Sequence, residues 1–127
     1  MLFRYVVAVA VLCGGVAGSV LAEENAMTNA DLTGLLSGGK TLMLGGKGQG
    51  YEGSLTLNAD GTGKGSAKTD AGAVINLTGT WSIKGDQFCR VWEGLDDGNE
   101  VCETWVKTSN TSVKVMNGDQ QIGVNSW

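Results

Sequence analysis

No histidine and no proline occur in the 127 residues. Without histidine the chain lacks the usual general base near neutral pH and the commonest metal-binding imidazole. Without proline, turns fall to glycine and the Asx residues, and glycine is plentiful at 21. Cysteine is scarce: Cys13, Cys89 and Cys102 only. No two of them form C-x-x-C, so neither a redox dithiol nor a cysteine zinc site has its motif. Basic residues number 9 against 13 acids. Such a chain is a poor fit to nucleic acid or to anionic membrane surfaces, both of which are recognised by basic patches. A carboxylate pair or a lysine remains chemically able to catalyse, but no spacing singles one out. The residues therefore read as non-enzymatic, with no catalytic set and no cofactor.

What is present begins with an address. Arg4 supplies a positive n-region, Tyr5 to Cys13 an apolar h-region, and Val20-Leu21-Ala22 a small-residue cleavage site. The apolar run is short for a membrane span, and Gly14, Gly15, Gly18 and Ser19 interrupt it. Residues 1–22 are read as a signal peptide and 23–127 as a single domain that is periplasmic or secreted, with no membrane span after cleavage. An uncut anchor is the competing reading. Leu12 before Cys13 is bulky where a lipid-attachment signal wants a small residue. Cleavage removes Arg4 and keeps every acid, so the mature domain is more acidic still. It also leaves Cys89 and Cys102 as an even pair in an oxidising compartment, which predicts a disulfide. Such a bond would stabilise by about 3 kcal/mol on the chain-entropy account.

Along the mature chain, Glu23 to Met27 reads as a loose start. Thr28-Asn29-Ala30-Asp31 is a capping box, and Leu32, Leu35 and Leu36 follow at helical spacing until Ser37-Gly38-Gly39. From Lys40 the pattern turns to strands. Tyr51, Gly53, Leu55 and Leu57 alternate with polar residues up to the turn Asn58-Ala59-Asp60-Gly61. Thr62 to Lys68 alternates glycine with polar residues and reads as a weak edge protected by lysines. The longest alternation places Ala73, Ile75, Leu77, Gly79, Trp81 and Ile83 on one face, before Gly85-Asp86. Gly79 leaves room there for a neighbouring ring. Phe88 to Trp92, Val101 to Val106, Val113 and Val115, and Ile122 and Val124 complete the set. The prediction is a mainly β domain: an antiparallel meander of seven to eight short strands, forming a small barrel or a sandwich, with one short N-terminal helix.

Three constellations invite a functional reading. Gly34 to Thr41 matches G-x-x-x-x-G-K-[ST]. Phosphate cradling needs a strand before the loop and a helix after it, and here the order is reversed, so the match is read as chance. Glu93, Asp96, Asp97 and Glu100 form an acidic run that offers oxygen ligands to Ca²⁺. The bland alternative is a solvated hairpin tip turning at Asp97-Gly98. Trp81, Trp92 and Trp105 can line a ligand cavity or simply fill a core, with Trp81 inward by parity. Trp92 and Trp105 each lie three residues beyond a cysteine, on the face opposite the disulfide.

At LTGLLSGGKT, GTWSIKGDQFCRVW and CETW the chain resembles a type of small exported bacterial (proteobacterial-type) protein of unassigned function. Those proteins share an L-x-x-L-L-x-G-x-T helix and a G-x-W-x-[IV]-x-G-x-x-[FL]-C-x-x-W strand pair with a second cysteine downstream. Leu32, Leu35, Leu36, Gly39, Thr41, Gly79, Trp81, Ile83, Gly85, Phe88, Cys89, Trp92 and Cys102 carry the match. The resemblance implies a β-rich fold and the disulfide, and no catalytic residues. Gly79-Thr80-Trp81 is also distantly similar to lipocalins and avidins, whose G-x-W lies on the first strand rather than mid-chain. The functional expectation is an exported, non-catalytic binding or accessory protein with an unidentified protein or small-molecule partner. Its alternative is a lipocalin-like carrier of a small hydrophobic ligand in a tryptophan-lined barrel. A hollow interior favours the carrier, a filled one the interaction module.

Overall fold

The computed structural model describes residues 25–127. The expected leader at 1–22, its cleavage site and Cys13 lie outside the described residues. The helix forms where the capping box sits. Asp31 N–H donates to the Thr28 hydroxyl, and Thr28 N–H donates back to the Asp31 carboxylate. The helix α1 runs Asn29–Leu36. Its N-terminus is fastened to the turn at Gly85-Asp86: Asn29 N–H donates to Asp86 Oδ1 at 2.7 Å, and the Asn29 amide to the Gly85 carbonyl at 2.6 Å.

Eight strands follow: β1 (Lys40–Gly46), β2 (Tyr51–Leu57), β3 (Thr62–Thr69), β4 (Val74–Lys84), β5 (Gln87–Trp92), β6 (Val101–Ser109), β7 (Ser112–Asn117) and β8 (Gln120–Ser126). Each pairs antiparallel with the next, and β8 returns to β1, so the sheet is a closed barrel rather than a sandwich. Closure corrects the reading of Thr62 to Lys68 as an edge. β3 is hydrogen-bonded on both sides, to β2 and β4. Its glycines serve the interior instead. Gly63 and Gly79 face each other across β3 and β4, and the Trp92 ring lies over both. A Cβ at Gly63 would come 2.8 Å from Trp92 Cη2. The small inward residues of β3 and β4 thus make the space in which a neighbouring strand's indole lies flat.

The start at Asn25–Met27 is not loose either. Asn25 O accepts from Lys107 N–H, and Met27 N–H donates to Trp105 O. This segment takes up the β6 backbone groups beyond the reach of β5, whose register ends at Phe88–Glu103. Met27, Leu32 and Leu36 are buried, and with Leu42, Leu57, Phe88, Trp105 and Val113 they fill the helix-side half of the barrel. An eight-stranded barrel has an interior just wide enough for that filling or for one small ligand. The long alternation on β4 holds, but burial is graded along it. Leu77 is fully inside, Trp81 and Ile83 are half-buried near the helix, and Ile75 is exposed at the opposite rim.

Among the described residues no helix is long and apolar enough to cross a membrane. The outer face carries Glu52, Lys64, Lys68 and Lys84, all exposed, over an apolar interior. That is the reverse of the lipid-facing pattern of membrane barrels.

Candidate ligand cavity at the open end of the barrel

Strand parity turns Phe88, Arg90 and Trp92 inward on β5, and Glu103 and Trp105 inward on β6. Two of these five are charged. Arg90 Nε donates to Glu103 Oε2 at 2.8 Å, and Arg90 Nη1 donates to Asp96 Oδ2 at 2.6 Å. The second Glu103 oxygen accepts from Trp105 Nε1 at 3.0 Å. Both members of the Arg90–Glu103 pair have side chains only 8% exposed, whereas that of Asp96 is 41% exposed. A charge buried this far is tolerable only when paired and hydrogen-bonded, and Glu103 is satisfied on both oxygens. Arg90 Nη2 has no hydrogen-bond partner among the described residues.

Above this pair the barrel is hollow. A cavity of about 120 Å³ is lined by residues of every strand except β3, including Leu44, Leu55, Leu77, Trp92, Val115 and Asn125. Asn125 is 8% exposed, and its side-chain amide has no hydrogen-bond partner among the described residues. Buried amides are normally paired, so this one marks a place where a further polar group belongs. A bulge between β7 and β8 at Val115/Met116 brings Ile122 to the same cavity and puts Asn125 opposite the buried Val113. Tyr51 spans the rim from β2, and its hydroxyl accepts from Val124 N–H at 3.1 Å. Outside lies an apolar vestibule of about 320 Å³ among Leu44, Tyr51, Ala67, Ile75, Leu77, Leu95 and Ile122. Five of its residues also line the inner cavity, so the two spaces adjoin at the end opposite α1.

The three candidate tryptophans part company. Trp92 lines the cavity. Trp105 lies beneath it, fully buried, with its ring 4.8 Å from that of Phe88. Trp81 stacks on the other side of Phe88 at 5.9 Å and donates its indole N–H to the Asn58 and Thr62 carbonyls, both at 3.1 Å. These two support the floor rather than touch the hollow.

Cys89 and Cys102 are directly opposed on β5 and β6 and joined by a disulfide, with Cα atoms 3.9 Å apart. It sits on the face away from Trp92 and Trp105. The acidic run is dispersed. Asp96 is held by Arg90, Glu100 by Lys84 at 2.7 Å, and Glu93 and Asp97 are exposed. Among the described residues the one group with metal-like spacing is Cys89, Glu100 and Cys102, whose sulfurs are already bonded to each other. The tip is also more contorted than an Asp-Gly hairpin. Residues Asp96–Gly98 make a 3-10 turn in which Asp96 and Asp97 have φ of 55° and 56°. The G-x-x-x-x-G-K-[ST] match spans α1 and the start of β1, helix before strand, as its sequence context indicated.

Sequence reading missed Arg90, Glu103, Asn125 and Tyr51 as site residues. For the first two a signal was present: charged residues at inward parity between aromatics. No family model, no curated protein and no solved structure matches the chain.

Proposed function

We propose that this is an exported, non-catalytic binding protein that carries a small, largely apolar molecule in the open end of its barrel. Of the two readings set out from the sequence, the half-hollow interior favours the carrier over the interaction module. The observation that carries it is the cavity above Arg90 and Glu103, which adjoins an apolar vestibule and holds the Asn125 amide, without a partner among the described residues. Pockets that bind small molecules are mostly apolar with a few placed polar groups, and this cup has that make-up. The compartment is part of the same proposal. A disulfide suits an oxidising environment, and the leader at 1–22 would deliver the domain there.

Native mass spectrometry of protein recovered from the exported fraction, beside titration with octan-1-ol followed by tryptophan emission, tests the reading. Bound octanol or a co-purified apolar molecule is expected, on a chain beginning at Glu23. Ala67→Phe, which projects a ring into the vestibule, should abolish binding while the thermal midpoint shows the barrel still folded. A folded Ala67→Phe protein that binds as well as the parent would remove the vestibule from the site.

A further inference from the structure

We infer that the cup is built for a molecule with one carboxylate at the end of an apolar tail, and that Asp96, on Arg90 Nη1, stands where that carboxylate would bind. The inference rests on the carrier reading above and adds the class of ligand. It starts from the unequal partners of Arg90. Glu103 is a built-in partner, buried, rigid on β6 and tied by a second bond to Trp105. Asp96 is a visitor from the Glu93–Glu100 connection, with a side chain 41% exposed.

That connection is held in an uncommon conformation. Asp96 and Asp97 are consecutive non-glycine residues at positive φ, a region that is unfavourable for side chains bearing a Cβ. The contact with Arg90 offsets this, so a competitor for the guanidinium releases the loop from it. The donors around the position suit a carboxylate. Arg90 offers Nη1, now spent on Asp96, and an Nη2 without a partner among the described residues. Asn125, on the wall of the same cavity, adds a buried amide that likewise has none among them. Guanidinium and carboxylate match as paired, charge-assisted hydrogen bonds.

The charge count favours exchange over addition. With Asp96 in place, Arg90 already faces two carboxylates, so an incoming anion must replace one of them. Glu103 is fixed, which leaves Asp96. A neutral head group can accept from Nη2 or pair with the Asn125 amide, but it carries no charge with which to displace Asp96. A cation would meet the guanidinium. From the head position the tail passes between Leu77, Leu95 and Ile122 toward the rim. Leu95 adjoins Asp96, so the same segment senses head and tail.

Calorimetric titration of the mature protein with octanoate and with octan-1-ol, at pH 7, tests this. Asp96→Asn keeps a residue that tolerates positive φ and removes the competing charge. Octanoate is expected to bind more tightly to Asp96→Asn than to the parent by about tenfold, the worth of one charge-assisted hydrogen bond, with octanol unchanged within about twofold. In the unaltered protein, amide resonances of Asp96 and Asp97 should move with octanoate and stay with octanol. Equal affinities for the two compounds, unaffected by Asp96→Asn and with still resonances, would overturn the head-group assignment and leave the carrier reading standing. Failure of both compounds to bind would sink the two together.

Discussion

Removing the guanidinium of Arg90 would leave Glu103 buried with Oε2 unpaired, because only Trp105 Nε1 remains to it. Breaking a buried pair from one side typically costs about 3–5 kcal/mol. Arg90→Met is expected to lower stability by that amount in denaturant melts. Arg90→Met with Glu103→Gln should recover more than half, since glutamine keeps an acceptor for Trp105 and carries no charge. A double variant no better than the single would mean that the Arg90 stem, not the pair, supplies the stability. At this scale the sequence was partly readable. Gly79 was expected to admit a neighbouring ring, and the ring is that of Trp92. Arg90 and Glu103 stood at inward parity, but that they meet was not read: they are diagonal rather than facing, Arg90 lying opposite Val101 and Glu103 opposite Phe88. Asn125 was hidden by the bulge near Ile122, since one extra residue exchanges inward and outward faces.

The N-terminal helix shows what local chemistry does for an element. At eight residues α1 is too short to persist alone, and packing of Leu32 and Leu36 must hold it. The capping box then fixes where it starts. Thr28→Ala should cost about 1 kcal/mol by removing the acceptor for the Asp31 amide. The backbone N–H of Thr28, and next its hydroxyl, hold the Asp31 carboxyl below its ordinary value of 3.8. A carboxyl depressed in the folded state stabilises fully above the unfolded pKa, and the contribution is lost as pH falls through the folded pKa. The stability gap between the parent and Asp31→Asn should therefore be constant from neutrality down to about pH 4 and close below it. Melts across that range check the sign, and a gap that widens in acid would contradict the assignment. The helix was legible because capping and leucine spacing are local signals. The docking of Asn25–Met27 on β6 was not. It answers a vacancy left by β5, a fact of topology that no short window contains.

Across the whole molecule the barrel is unevenly stitched. β2 and β3 register over seven residue pairs, β5 and β6 over three, and β1 and β8 over two. Alternation and closely spaced turns announced an antiparallel meander, but closure depends on strand tilt and stagger, which periodicity does not carry. Each thin seam has a reinforcement. The Tyr51 hydroxyl accepts from Val124 N–H and so ties β2 to β8 across β1. The Cys89–Cys102 disulfide lies at the middle of the β5–β6 seam, with Arg90–Glu103 on its inner side. The bond therefore does more than close a loop in the unfolded chain. It holds shut the seam whose Phe88, Arg90, Trp92 and Glu103 wall one side of the cavity. Cys102→Ala is expected to destabilise by about 2–5 kcal/mol. Because β5 and β6 share so few backbone hydrogen bonds, the loss should be local before it is global. In hydrogen exchange, amides of β5 and β6 should lose protection first, while those of β2 and β3 keep theirs until the barrel unfolds. If all strands lost protection together, the seam would be no weaker than the rest, and the disulfide would act through the unfolded chain alone.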